Sequence, residues 1–114
     1  MTLLARLIAS EEGFGIPGAQ PTHKNNPGDL RHAPHASHEG EGPNDIGIEP
    51  TLADGWADLE RQLQLYAERG LTLAQMVDAY APQVENNSVA YLDYLCRGLN
   101  LPPETPVAEA LKLV

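Results

Sequence analysis

The sequence is poor in cysteine and in positive charge, and it contains no long hydrophobic run. Its single cysteine, Cys96, cannot form an internal disulfide, so a cross-linked scaffold is excluded. Cys96 falls at helical spacing among apolar residues and reads as a small core residue. Lys and Arg number 7 against 16 Asp and Glu, for a formal net charge of -9 and a pI near 4.6. With no basic stretch, a nucleic-acid partner is not expected, because binding phosphates requires a cationic face. Anionic membrane surfaces are disfavoured for the same reason. No apolar run approaches the roughly 20 residues of a membrane span, so membrane insertion is not expected. Leu3-Leu4-Ala5-Arg6 is not a basic region followed by a cleavable apolar segment, so the expectation is cytoplasmic synthesis without a signal peptide.

What is present reads as one domain over residues 1–114, with a loop-rich wall over 13–50 and a helical part over 51–114. The length suits a single core and leaves no room for a second. Leu3, Leu4, Leu7 and Ile8 share one helical face, with Thr2 as N-cap. That helix ends in Glu11-Glu12 and breaks at Gly13. Carboxylates at a helix C-terminus sit on the wrong side of the dipole, so something other than local helix stability holds them. At the edge of a core, a carboxyl is desolvated, its pKa rises, and it can carry a proton near neutral pH.

Residues 13 to 50 hold thirteen of the twenty Gly and Pro residues. A loop this long is usually functional or disordered. Asn25-Asn26-Pro27-Gly28-Asp29 is dense turn chemistry and argues for order. Ile46-Gly47-Ile48 has the makings of a short strand paired with Leu30-Arg31-His32. From Thr51 the helical signals are clean. Trp56, Leu59, Leu63 and Tyr66 form an apolar stripe that stops at Gly70, with Asp58, Glu60, Arg61, Gln62, Gln64 and Glu68 on the solvated face. Thr72 with Gln75 forms a capping box ahead of Leu73, Met76, Val77 and Tyr80, and Pro82 closes that helix. Asn86-Asn87-Ser88 caps the next, which turns Tyr91, Leu92, Leu95, Cys96 and Leu99 inward and ends at Gly98. Thr105-Pro106 opens a last short helix docked by Val107, Ala110, Leu111 and Val114. The fold class is therefore mainly α, with about five helices and at most a short β-hairpin.

Taken in order, Glu12-Gly13, Asn25-Asn26-Pro27-Gly28-Asp29-Leu30-Arg31, Thr51 through Trp56, Tyr80-Ala81-Pro82 and Glu85-Asn86-Asn87-Ser88-Val89-Ala90-Tyr91 resemble a group of small phage- and prophage-associated proteins. These belong to the lysozyme-like superfamily and are described as lytic transglycosylase-like peptidoglycan hydrolases or as virion structural proteins. The resemblance spans nearly the whole chain. It implies a lysozyme-like domain in which Glu12, at the end of the first helix, is the catalytic acid, with Glu11 as runner-up. It also implies contacts to glycan strands from Asn25, Asn26, Asp29, Arg31, Tyr80, Asn86, Asn87 and Tyr91. Ala81 stands where lytic transglycosylases carry the Asn of an Ala-Tyr-Asn motif. Helical periodicity also favours Glu12, which falls on the flank of the apolar arc while Glu11 lies at its centre.

The implied activity is cleavage of the MurNAc-GlcNAc bond by a single Glu general acid/base, by a lytic transglycosylase or muramidase reaction that needs no cofactor. A second carboxylate, where one is used, would be Asp29 or Asp45. The expected place of action is the cell wall or periplasm after release or delivery, or a virion, with a virion or secretion-apparatus partner conceivable. The competing reading is a catalytically inactive virion structural or wall-binding protein of the same fold. A third is an acidic inhibitor that docks on a basic enzyme. His32, His35 and His38 are spaced three apart in a Pro-containing loop that fixes no ligand directions, so they read as solvated histidines and no metal is expected.

Overall fold

The computed structural model describes residues 1–38, 46–80 and 87–114, and these contain six helices. They are α1 (Leu3–Glu11), α2 (Gln20–His23), α3 (Leu52–Glu68), α4 (Leu73–Tyr80), α5 (Ser88–Leu99) and α6 (Val107–Ala110). The protein is mainly helical. Only α2 was not foreseen: a single turn around Pro21 is too short to show a period.

Helix starts follow the local chemistry. The side chains of Thr2, Thr51 and Asn87 accept hydrogen bonds from the N–H groups of Ala5, Asp54 and Ala90. Thr72 and Gln75 bond each other's backbone N–H at 3.2 and 2.9 Å, the reciprocal capping box. The end of α5 differs from expectation. The helix runs past Gly98 to Leu99 and stops on Asn100, whose φ of 57° is a left-handed conformation that Asn tolerates. Gly98 instead receives the Leu7 side chain, and a Cβ there would lie 2.7 Å from both Leu7 methyl carbons.

The core joins α1 (Leu4, Ala5, Ile8), α3 (Leu59, Leu63, Tyr66), α4 (Leu73, Met76, Val77), α5 (Tyr91, Leu95, Leu99) and α6 (Val107, Ala110). Each large apolar side chain buried here contributes about 1.5–3 kcal/mol. Cys96 packs half-buried against this cluster. Four expectations need correction. Trp56 is half-buried at the rim rather than central, and Val114 is 90% exposed rather than docked. On the face of α3 expected to be solvated, Asp58 is buried. Glu60 is half-buried, and its carboxylate accepts from Thr2 N at 3.2 Å and Thr2 Oγ1 at 2.6 Å. That pair ties the start of α1 to α3, and Leu3 N bonds Leu113 O beside it.

The Gly/Pro-rich stretch is fastened to this helical body at several points. The Asn25 carbonyl presses on Gly55 in the first turns of α3, where a Cβ would sit 1.9 Å from the oxygen. Only glycine permits that approach. The expected hairpin of 46–48 with 30–32 is replaced by a single bond, Gly47 N to Leu30 O at 2.9 Å, and an antiparallel bridge between Ile48 and Ser37. The cause is Asn26, which is fully buried. Its amide nitrogen donates to the carbonyls of Leu30 (2.8 Å) and Gly47 (2.9 Å), and its oxygen accepts from Leu30 N (3.0 Å). One side chain therefore occupies the polar groups that a regular ladder would have used.

Candidate functional site

Glu12 is the C-cap of α1, with its N–H bonded to Ile8 O at 2.9 Å. Gly13 follows at a φ of +92°, turning the chain sharply away. The carboxyl group is left half-buried at the edge of the core. From α5, the Tyr91 hydroxyl donates to Glu12 Oε2 at 2.7 Å, although the tyrosine itself is only 2% exposed. From the loop, Asp29 brings a second carboxyl within hydrogen-bonding reach of the first. Asp29 has a φ of 53°, in the left-handed region that Asp visits more readily than most residues.

These neighbours pull the Glu12 proton in opposite directions. Burial raises its pKa most, the Tyr91 hydrogen bond opposes that, and the nearby Asp29 and Glu11 charges add to the rise. The outcome is a carboxyl lifted from 4.5 to about 7. Burial also pushes the Tyr91 and Tyr80 phenols far up, with the Glu12 charge adding to both, so both stay protonated and act as donors. Tyr80, at the end of α4, donates to the Gly28 carbonyl next to Asp29. That bond couples the end of α4 to the turn that carries the second carboxyl. The assembled group can give a proton near neutral pH and stabilise the resulting carboxylate through the Tyr91 hydroxyl.

Glu12, Asp29, Tyr80 and Tyr91, four residues anticipated from the sequence, thus come together from separate segments. Glu11, Asn26 and Asn87 do not join them. Glu11 is exposed. Asn26 is fully buried with its amide spent on the backbone, so it holds the loop rather than meeting a ligand. Asn87 caps α5 through its side-chain oxygen. Asn25 contributes its carbonyl to the packing against Gly55, and Arg31 is half-buried just beyond Asp29. Asn86 and Asp45 lie outside the described residues, as do Ala81, Pro82 and Glu85.

Sequence reasoning passed over Phe14, whose ring meets Trp56 edge-on at 5.5 Å, two residues beyond Glu12. An aromatic so close to the acid was the available signal. His35 is exposed, as expected, but its Nδ1 lies 2.7 Å from Asp58 Oδ1, a partner its spacing did not reveal, while the rings of His32 and His38 stand 6.1 Å apart. Among the described residues, no group of His, Cys, Asp and Glu side chains is arranged to hold a metal ion. Set beside protein-family models, curated proteins and solved structures, the chain matches none.

Proposed function

We propose that the protein is a peptidoglycan-cleaving glycosidase of the lysozyme-like type, with Glu12 as its general acid and base. The observation that carries this reading is the half-buried Glu12 carboxyl, lifted to about 7 and gripped by the Tyr91 hydroxyl. A protonated carboxyl of this kind can donate to a glycosidic oxygen at neutral pH. Once it has given up the proton, the Tyr91 bond stabilises the carboxylate, while the neighbouring Asp29 charge keeps it basic enough to take a proton back.

Asp29 does not fit the role of an opposing carboxylate. Two-carboxylate glycosidases hold their pair about 5–5.5 Å or about 6.5–9.5 Å apart across the sugar. A partner within hydrogen-bonding reach of Glu12 leaves no space between them for the sugar or for water. That favours the single-acid course, in which Glu12 takes the proton from the substrate's own hydroxyl and a 1,6-anhydro sugar results. Glu12→Gln should abolish turbidity loss in a suspension of purified cell walls while the circular dichroism spectrum is unchanged. Lysis at the wild-type rate would reject the assignment.

The net charge of -9 favours the second reading, a wall-binding or virion structural protein without turnover, because wall polymers are largely anionic and repel an acidic catalyst. Chromatography of a digest of soluble glycan oligomers separates the two readings. New 1,6-anhydro or reducing ends support the enzyme, and an unaltered oligomer profile supports the non-enzyme.

A further inference from the structure

The second cluster of buried acids lies at the far end of the loop wall and takes no part in the site around Glu12. Glu49 follows the Ile48 bridge, and its backbone N–H bonds Lys24 O at 2.9 Å. Its side chain is 1% exposed, and neither carboxyl oxygen meets a hydrogen-bond donor among the described residues. What it faces is the carboxyl of Asp58, on the face of α3 covered by the loop. Both oxygens of Asp58 are already engaged by one residue of the loop. Oδ1 lies 2.7 Å from the His35 ring nitrogen Nδ1, and Oδ2 accepts from the His35 backbone N–H at 3.1 Å.

Two carboxyl groups sealed side by side cannot both be charged without a large cost, so one keeps its proton. The geometry decides which. Asp58 has an imidazole and a backbone N–H to stabilise its charge, and Glu49 has no donor, so Glu49 keeps the proton and donates a hydrogen bond with it to Asp58. Asp58 stays ionised and holds the His35 imidazolium. Among the described residues, the other charge facing Glu49 and His35 is that of Asp54, one turn back on α3, which favours protons on both. The Lys24 ammonium, itself buried, has the Ile46 carbonyl oxygen at 3.5 Å.

We propose that Glu49, Asp58 and His35 form a proton-operated clasp that fastens residues 30–38 and 46–49 to α3 in mildly acid solution and releases them as pH rises through neutrality. In the closed form the three groups are neutral, negative and positive, and sum to zero. Loss of two protons leaves them at minus two, so the Glu49 and Asp58 carboxylates repel each other without an imidazolium to offset them, and only the uncharged His35 N–H bonds to Asp58 oppose that repulsion. Burial beside Asp58 raises Glu49 from 4.5 to about 7, and the bond to Asp58 raises His35 above its ordinary 6.5. Loosening therefore sets in above the free-carboxyl value, continues through neutrality as His35 loses its proton, and then levels off. The same segment binds Asn26 through the Gly47 carbonyl, and Asn26 holds the turn that ends in Asp29, so an open clasp also slackens that turn. The clasp itself does not depend on what Glu12 does.

The test is hydrogen exchange read by NMR on the whole protein, corrected for intrinsic rates. The amides of Ser37, Ile48 and His35 should lose protection by at least about tenfold between about pH 5 and pH 8. The amide of Leu63, in the core part of α3, should not follow them. Glu49→Gln keeps a donor toward Asp58 at every pH, so the early part of that loss should flatten. Loop protection that tracks Leu63 throughout, or a slope unchanged in Glu49→Gln, overturns the proposal. Should the variant fail to fold, titration of His35 in the wild-type protein decides: a midpoint above 6.5 supports the clasp, and one at or below 6.5 refutes it. Wall cleavage enters none of these readouts, so they stand apart from the glycosidase reading.

Discussion

Glu12 and Glu49 are both lifted from 4.5 to about 7, and both sit beside an aspartate. They differ in what surrounds the pair. Glu12 is half-buried at the end of a helix, with one oxygen held by a phenol that cannot ionise. Glu49 is sealed behind the loop, and its partner Asp58 is already occupied by His35. The first arrangement leaves a proton within reach of something arriving from solvent, which a reagent needs. The second spends its proton on holding two chain segments together. Equal displacement of a carboxyl thus says little about its use, and access decides.

The comparison breaks most visibly in activity. Glu12→Gln should reduce wall cleavage by about 10²–10⁴-fold, the usual worth of a positioned acid, while Glu49→Gln should leave the rate at pH 6 unchanged. Equal losses in a turbidity assay would erase the distinction. Stability should separate the two pairs from the rest of the chain. A carboxyl whose folded pKa is raised binds its proton more tightly in the native state, so its contribution is lost as pH climbs from 4.5 to about 7. His35, also raised, contributes fully below 6.5 and loses that contribution as pH passes its folded value. Asp58 is lowered and works the other way, only at more acid pH than its ordinary 3.8. The melting temperature should therefore fall from pH 5 to pH 8. Glu49→Gln should restore on the order of 1–3 kcal/mol at pH 8 relative to wild type, and urea titrations at the two pH values would measure it.

Smaller changes sharpen the Glu12 side alone. Tyr91→Phe removes the bond that lowers Glu12, so the alkaline limb of the activity profile should move to higher pH, at a stability cost of about 1 kcal/mol. Asp29→Asn keeps a residue that tolerates the left-handed backbone and removes the like charge, so the same limb should move to lower pH. The two variants must shift the limb in opposite directions. A shift in the same direction from both would show that the Asp29 carboxyl does not act on Glu12 as a charge.

Most of what the sequence revealed was local. The caps at Thr2, Thr51, Thr72 and Asn87 act within one helical turn, and the apolar stripes of α3, α4 and α5 depend only on helical spacing. The placing of Glu12 at the edge of the core was legible because a helix end and a glycine coincide there. Asp58 was misread because its position on α3 belongs to the polar face, and what buries it is a residue 23 positions earlier. No periodicity records such a contact. Asn26 shows a different limit. An Asn in a turn looks the same whether its amide serves the backbone or a ligand, and only the carbonyls of Leu30 and Gly47 reveal the difference. Glu49 was not singled out at all, since one glutamate among many acids carries no mark of burial.

The link between Thr2 and Glu60 has a mechanical consequence. At about 1.5 Å per residue, the stretch from the N-cap Thr2 to the C-cap Glu12 is a stiff spar roughly 15 Å long, pinned to α3 at one end and presenting Glu12 at the other. The aim of that carboxyl thus depends in part on a threonine a full helix length away, alongside the core packing of Leu4 and Ile8. A tilt at the pinned end would be carried along the helix to the Tyr91 hydroxyl, so a change at Thr2 would be felt by a proton it never touches.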